Sequence, residues 1–112
     1  MAVTPKRLFG PAQLTNTTAT KYTVPSSTKA IIREIHLSNP GAVITLTMSI
    51  GSDAAGVRMF DGYSIPAAAA GQPASVRIIP VYWVLTAAEI IAAHASVGSQ
   101  LVLTLFGDEI TL

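Results

Sequence analysis

Residues 43–51 alternate strictly, with Ile44, Leu46, Met48 and Ile50 on one side, Val43, Thr45, Thr47 and Ser49 on the other, and Gly51 at the end. A period of two belongs to a strand with one buried face; a helix would scatter those four apolar side chains around its axis. The same chemistry pervades the chain, for Ile, Val and Thr together supply 32 of its 112 residues. Branching at Cβ restricts rotamers in a helix and suits a pleated surface. An all-β fold is expected.

Further strands follow from the same pattern. Ile31, Ile35 and Leu37 share a parity with Arg33, Ile32, Glu34 and His36 lie opposite, and the run stops at Asn39-Pro40-Gly41. That turn signal predicts a hairpin between this strand and 43–50. Leu101, Leu103 and Leu105 form another face, and Val102 and Phe106 make its reverse apolar too, as in a strand covered on both sides by a subunit contact. Shorter strands are expected at 8–14, 21–24, 57–60, 63–65 and 76–85. Pro80 has no N–H, which confines the last of these to a sheet edge or a bulge. Turn signals recurring every 8–12 residues or so predict an antiparallel β-sandwich of jelly-roll type with about eight strands.

Two readings compete at 86–97. Thr86-Ala87-Ala88-Glu89 has the form of a capping box, the alanines that follow are good helix formers, and Gly98 would stop a short helix. Ile91, Ala93, Ala95 and Val97 instead alternate as a strand would after a turn at 86–88. The alanine run 67–70, between Pro66 and Pro73, is too short for an isolated helix and reads as a loop.

A chain of this length holds one core and so one domain. Charged residues make up 12% of it and the net charge is +1, against about 25% charged in an average soluble domain. Such a surface offers no basic field to nucleic acid and suits assembly with protein partners. The absence of cysteine excludes disulfides, thiolate nucleophiles and zinc–thiolate sites. Pro5, Lys6 and Arg7 stand where a secretory signal would be apolar. The uncharged stretches 35–52 and 90–107 are broken by Asn39-Pro40-Gly41 or alternate with Ser, Thr and His, so no membrane span is expected.

No constellation for chemistry emerges. Residues 51–56 have the glycine spacing of a phosphate loop, but Val57 and Arg58 occupy the places of its Lys and Ser/Thr. Asp53 reads as a solvated loop carboxylate, and His36 and His94 fall in no ligand spacing. Gly62-Tyr63-Ser64 is not a nucleophile elbow. Asp108 and Glu109 point to opposite faces of a strand and read as surface charge. Asn16-Thr17-Thr18 matches the glycosylation pattern and is assigned no function. No catalytic, cofactor or metal set is expected, and the chain is read as not an enzyme. Trp83, the single Trp, reads as a core or interface anchor; with Tyr82 and Tyr63 it would alternatively make a carbohydrate platform.

Several segments taken together resemble a family of small structural proteins of tailed bacteriophages. They are Leu8-Phe9-Gly10-Pro11-Ala12-Gln13-Leu14, Tyr22-Thr23-Val24-Pro25, the run from Lys29 through Ile35-His36-Leu37 to Asn39, Arg58-Met59-Phe60, Tyr63-Ser64-Ile65-Pro66, and Tyr82-Trp83-Val84-Leu85 with Glu89 and Ile91. The similarity covers residues 8–110. It implies a β-sandwich building block of the tail, tail tip or capsid surface, located in a virion assembled in the host cytoplasm, that binds itself and other virion proteins. It favours the strand at 86–97, although the family's glycine before the late-hairpin glutamate is Ala88 here. Residues 1–20 are expected to form an N-terminal arm or first strand and 21–112 the sandwich domain. The expected interface residues are Leu8, Phe9, Leu14, Trp83, Val102 and Phe106, and the alternative role is a glycan- or receptor-binding module.

Overall fold

A computed structural model describes residues 2–112. It contains β1 (Ala2–Gln13), β2 (Ala19–Thr23), β3 (Thr28–Asn39), β4 (Ile44–Ile50), β5 (Arg58–Ile65), β6 (Ser75–Leu85), β7 (Ile90–Ala95) and β8 (Val102–Thr111), with one 3₁₀ turn at Ala55–Val57. The strands form two four-stranded sheets, ordered β1-β8-β3-β6 and β2-β7-β4-β5. Every pairing is antiparallel. This is a β-sandwich with the strand order of a jelly roll. Only β4 and β5 are both consecutive and paired.

The hairpin expected between β3 and β4 does not form. β3 lies between β8 and β6 in the first sheet, β4 lies between β7 and β5 in the second, and Asn39-Pro40-Gly41 carries the chain from one to the other. The reason lies in Asn39, which is fully buried. Its Nδ2 donates to the carbonyls of Ala42 at 3.0 Å and Pro66 at 2.9 Å. Its Oδ1 accepts from Gly41 N at 3.2 Å and Gln100 Nε2 at 2.7 Å. The turn is thus tied into the end of the sandwich, between layers, where a tight hairpin would have kept both strands in one layer.

The parity expected for 31–37 also breaks. The register shifts between Ile32 and Glu34 on both sides of β3, so Ala30, Ile32, Ile35 and Leu37 all point inward and are buried. Across this bulge Ile32 faces Trp83 while Glu34 faces Pro80. Pro80 therefore sits on an edge strand and beside a bulge at once, the two places where its missing N–H costs no ladder bond. The segments 57–60 and 63–65 belong to one strand, β5, which runs on through Gly62.

Between β6 and β7 the capping-box residues close a single turn and no helix follows. Glu89 Oε1 accepts from Thr86 N at 2.6 Å and Thr86 Oγ1 at 2.9 Å, and Glu89 N donates to Thr86 O at 3.1 Å. Ala88 takes the left-handed conformation, φ +70°. Val24 fixes the turn from outside, donating to Glu89 O and accepting from Ala88 N. Ile91, Ala93 and Ala95 then enter the core with period two; burial of that face outweighs the local preference for helix.

Leu14, Ile35, Leu46, Met48, Leu101 and Leu103 are among the side chains that fill the space between the sheets. Each large apolar side chain so buried contributes about 1.5–3 kcal/mol relative to exposure. Phe60 lies 5.5 Å from Tyr63 and 5.8 Å from Trp83, closing the side of the sandwich between the β5 and β6 edges. On the opposite side β1 pairs with β8 of the same chain, from Ala2 with Thr111 to Gln13 with Val102. The Gly10–Pro11 peptide is cis, and the register shifts there, between Phe9 and Ala12.

Candidate docking face

The outer surface of the first sheet is apolar along β6. Val76, Ile78, Tyr82 and Val84 point outward and are 56%, 56%, 65% and 53% exposed. Ile79, Val81, Trp83 and Leu85, on the other side of the same strand, pack on the core. Both faces of β6 are therefore apolar, and one has no cover. On β8 the outward side chains include Val102 and Phe106, both half-buried. The rings of His36 and Phe106 meet edge to face, their centroids 4.7 Å apart. Arg33 stands 5.5 Å over the ring of Tyr82 and donates from Nε to Asp108 at 2.6 Å.

A groove crosses this face at one level. Arg7 pairs with Phe106, Phe106 with Glu34, and Glu34 with Pro80, so one row spans all four strands. The register breaks at or beside this row in β1, between Arg7 and Phe9, and in β3, between Ile32 and Glu34. Bulges bend the strands that carry them, and here they open a shallow groove of 630 Å³. Phe106 and Gly107 line it from β8, Pro5 and Arg7 from β1, and Pro80 and Val81 from β6. A Cβ on Gly107 would lie 2.0 Å from the carbonyl oxygen of Ile31. The strands can approach this closely only because residue 107 has no side chain.

The charges around the groove are mostly satisfied. Asp108 and Glu109 do point to opposite faces, but neither is a free surface charge: Asp108 is held by Arg33, and Glu109 binds Lys6 at 3.0 Å and the phenol of Tyr22. Donation by Tyr22, followed by that of the Lys6 ammonium, holds the Glu109 carboxyl below its usual range. Burial, reinforced by the bond to Glu109 and its charge, pushes the Tyr22 phenol up. Arg7 makes no ion pair among the described residues.

A second polar cluster lies on the other sheet. Thr18 Oγ1 is 2.7 Å from His94 Nδ1 and donates to Asp53 at 3.3 Å. Asp53 also accepts from Arg58 Nε at 2.8 Å, and Arg58 reaches Asp61 at 3.3 Å. The Arg58 hydrogen bond is the main reason the Asp53 carboxyl lies below its ordinary value. These groups pin the loops before β2 and before β5 onto β7. Asp53 is thus an anchored carboxylate, where a solvated one was expected. Among the described residues no group of three or more His, Asp or Glu is placed to hold a metal ion, and no helix is long and apolar enough to cross a membrane.

The six expected interface residues are not brought together. Val102 and Phe106 share the outer face of the first sheet; Leu8 and Phe9 are half-buried against the core from β1, Trp83 packs inward beside Phe60, and Leu14 is fully buried in its own chain. Tyr82 and Trp83 project from opposite sides of β6, so with Tyr63 they form no common platform. Of the row Val76, Ile78, Tyr82 and Val84, sequence reasoning singled out Tyr82 alone. The signal of the row was the alternation within 76–85, hidden because the inward set is apolar as well. Comparison with protein-family models, with curated proteins and with solved structures finds no match to this chain.

Proposed function

We propose that this chain is a non-enzymatic structural subunit of a bacteriophage particle, a component of the tail, tail tip or capsid surface that works by binding copies of itself and other virion proteins. The observation that carries the reading is the uncovered apolar row on β6, four outward side chains each more than half exposed. A contiguous patch of this kind marks a surface made for contact. The low charge of the chain supports the same reading, since little of its surface is built to remain in water. The jelly roll is an architecture of viral coat domains but also of lectins, so it supports the proposal without deciding it. The resemblance of residues 8–110 to small phage structural proteins favours the coat reading.

The test has two parts. Light scattering on the purified protein is expected to show assemblies at micromolar concentration, and the double variant Ile78→Lys, Val84→Glu is expected to return one chain mass with an unchanged melting curve. A parent protein that stays monomeric throughout overturns self-association. Mass spectrometry of purified particles is expected to find the chain in stoichiometric amounts, and its absence overturns the virion assignment.

A further inference from the structure

The bulge in β3 sets two consecutive residues of opposite charge on the outer face of the first sheet. A regular strand sends neighbouring side chains to opposite faces, yet Arg33 and Glu34 are both exposed between the buried Ile32 and Ile35. Arg33 lies over the outward Tyr82 ring, and Glu34 reaches His36, which meets the outward Phe106. Neither charge is saturated within the chain. Among the described residues Arg33 donates to Asp108 from Nε alone, which leaves its terminal amino groups without a partner, and Glu34 has only His36, at 3.3 Å. Along the strand the face therefore reads plus, then minus. A second copy laid on it with its strands reversed reads minus, then plus, so a two-fold axis between these residues sets each Arg33 against the Glu34 of the other copy.

The groove has the same symmetry. It lies at the level of Gly107, one residue along β8 from Phe106 and beside Arg33 and Glu34. An axis that pairs the charges therefore turns the Phe106 ring of each copy into the groove of the other, where Pro5, Pro80 and Val81 supply apolar walls. Area points to the same occupant. Four strands of 10–12 residues, about 4.8 Å apart and rising about 3.3 Å per residue, span a face of roughly 700 Å². A stable contact covers about 800 Å² on each partner, so the β6 row alone is too narrow, and a second sheet of equal size covers what is needed. Pro5 and Pro80 hinder strand addition at the two edges, which leaves the face. The other cations of the face, Arg7 on the β1 edge and Lys29 near the start of β3, are exposed at its margins and stay in water.

We propose that two copies of this chain pack first sheet against first sheet, about a two-fold axis that crosses β3 between Arg33 and Glu34. Each Arg33 binds the Glu34 of the other copy, and the two β6 rows fall within the same contact. This rests on the self-association reading above and names the face, the symmetry and the residues at its centre.

Charge reversal tests the pairing. Arg33→Glu and Glu34→Arg are each expected to weaken self-association by about tenfold or more, since each sets like charges together twice in one dimer. Mixed in equal amounts they are expected to form a one-to-one pair, because one copy then carries two acids and the other two bases, and the double variant R33E/E34R is expected to dimerise alone. Arg33→Glu also loses the bond to Asp108, so a second readout leaves Arg33 intact. The chain has no cysteine, and Glu34→Cys treated with a short bismaleimide is expected to link to a second copy of itself and to stop at dimers, whereas Ser64→Cys, exposed on the other sheet, is expected to stay single. Where the parent assembles, failure of the Glu34→Cys cross-link, or absence of the one-to-one pair from two folded variants, overturns the face-to-face dimer and leaves self-association standing. A parent that is monomeric throughout overturns both.

Discussion

Tyr22 donates its phenol hydrogen to Glu109 at 2.5 Å, and this bond ties β2 of one sheet to β8 of the other. Hydrogen bonds to a charged partner contribute about 1.5–3 kcal/mol. Because Glu109 keeps Lys6, Tyr22→Phe is expected to cost the lower part of that range, about 1.5–2 kcal/mol. A thermal melt should fall by roughly 4–8 °C per kcal/mol in a domain of this size.

The same pair shapes the response to pH. Folded Glu109 holds its proton less readily than the unfolded carboxyl, whose ordinary value is 4.5, so its stabilisation is complete above that value and is lost as pH falls through the depressed one. Tyr22 behaves oppositely: its folded value is raised above 10.0, so stability is complete below pH 10.0 and is lost as pH rises toward the raised value. Urea titrations across pH should show stability declining on both flanks, and Tyr22→Phe should flatten both declines.

Ala88 holds a conformation that glycine adopts without strain, at φ +70°. The left-handed region costs a residue with a Cβ about 1–2 kcal/mol, and the added freedom of glycine in the unfolded chain takes back about 0.4–1. Ala88→Gly is therefore expected to raise stability by about 0.5–1 kcal/mol. Ala88→Val should lower it, because a branched side chain fits that conformation worse. Equilibrium denaturation of the two variants gives both signs.

Asn39 supplies donors and an acceptor at the crossing between sheets, all of them buried. Asn39→Ala leaves the Pro66 carbonyl without that donor, while Ala42 keeps the bond from Gln100 Nε2, and is expected to cost about 1–3 kcal/mol, the cost of one unsatisfied group. Chemical denaturation of the purified variant measures it.

Gly107→Ala drives a methyl group into the Ile31 carbonyl. Overpacking costs typically 1–3 kcal/mol, and with backbone as the obstacle about 3 is expected. The variant should also lose self-association at temperatures where it remains folded, because β3 and β8 must part at the floor of the groove.

Strand identity was legible wherever one face alone is apolar, as in 43–50, and the absent N–H of Pro80 correctly marked both an edge and a bulge. What the residues could not reveal was partnership. Asn39-Pro40-Gly41 announces that the chain turns, but which layer receives it depends on Pro66 and Gln100, far along the chain. The bulge at Arg33 inverts the parity of Ile31 and Ile32, and it exists only against β6 and β8. Thr86-Ala87-Ala88-Glu89 satisfies helix and turn alike, and Val24 decides between them from more than 60 residues away. Phe106 and Val102 stood out from the start, whereas the groove needed Arg7, Phe106, Glu34 and Pro80 to become neighbours.

The order β1-β8-β3-β6 also governs when the molecule becomes useful. The row Arg7, Phe106, Glu34, Pro80 draws one residue from each strand of that sheet, and β8 is made after the other three. At about 5–20 residues per second, several seconds separate the emergence of β1 from that of its partner. Through that interval β1 and β3 lack the strand that belongs between them. In the proposed assembly, a chain lacking β8 would therefore offer no complete groove, and recruitment through this surface would favour chains in which the four strands are already joined.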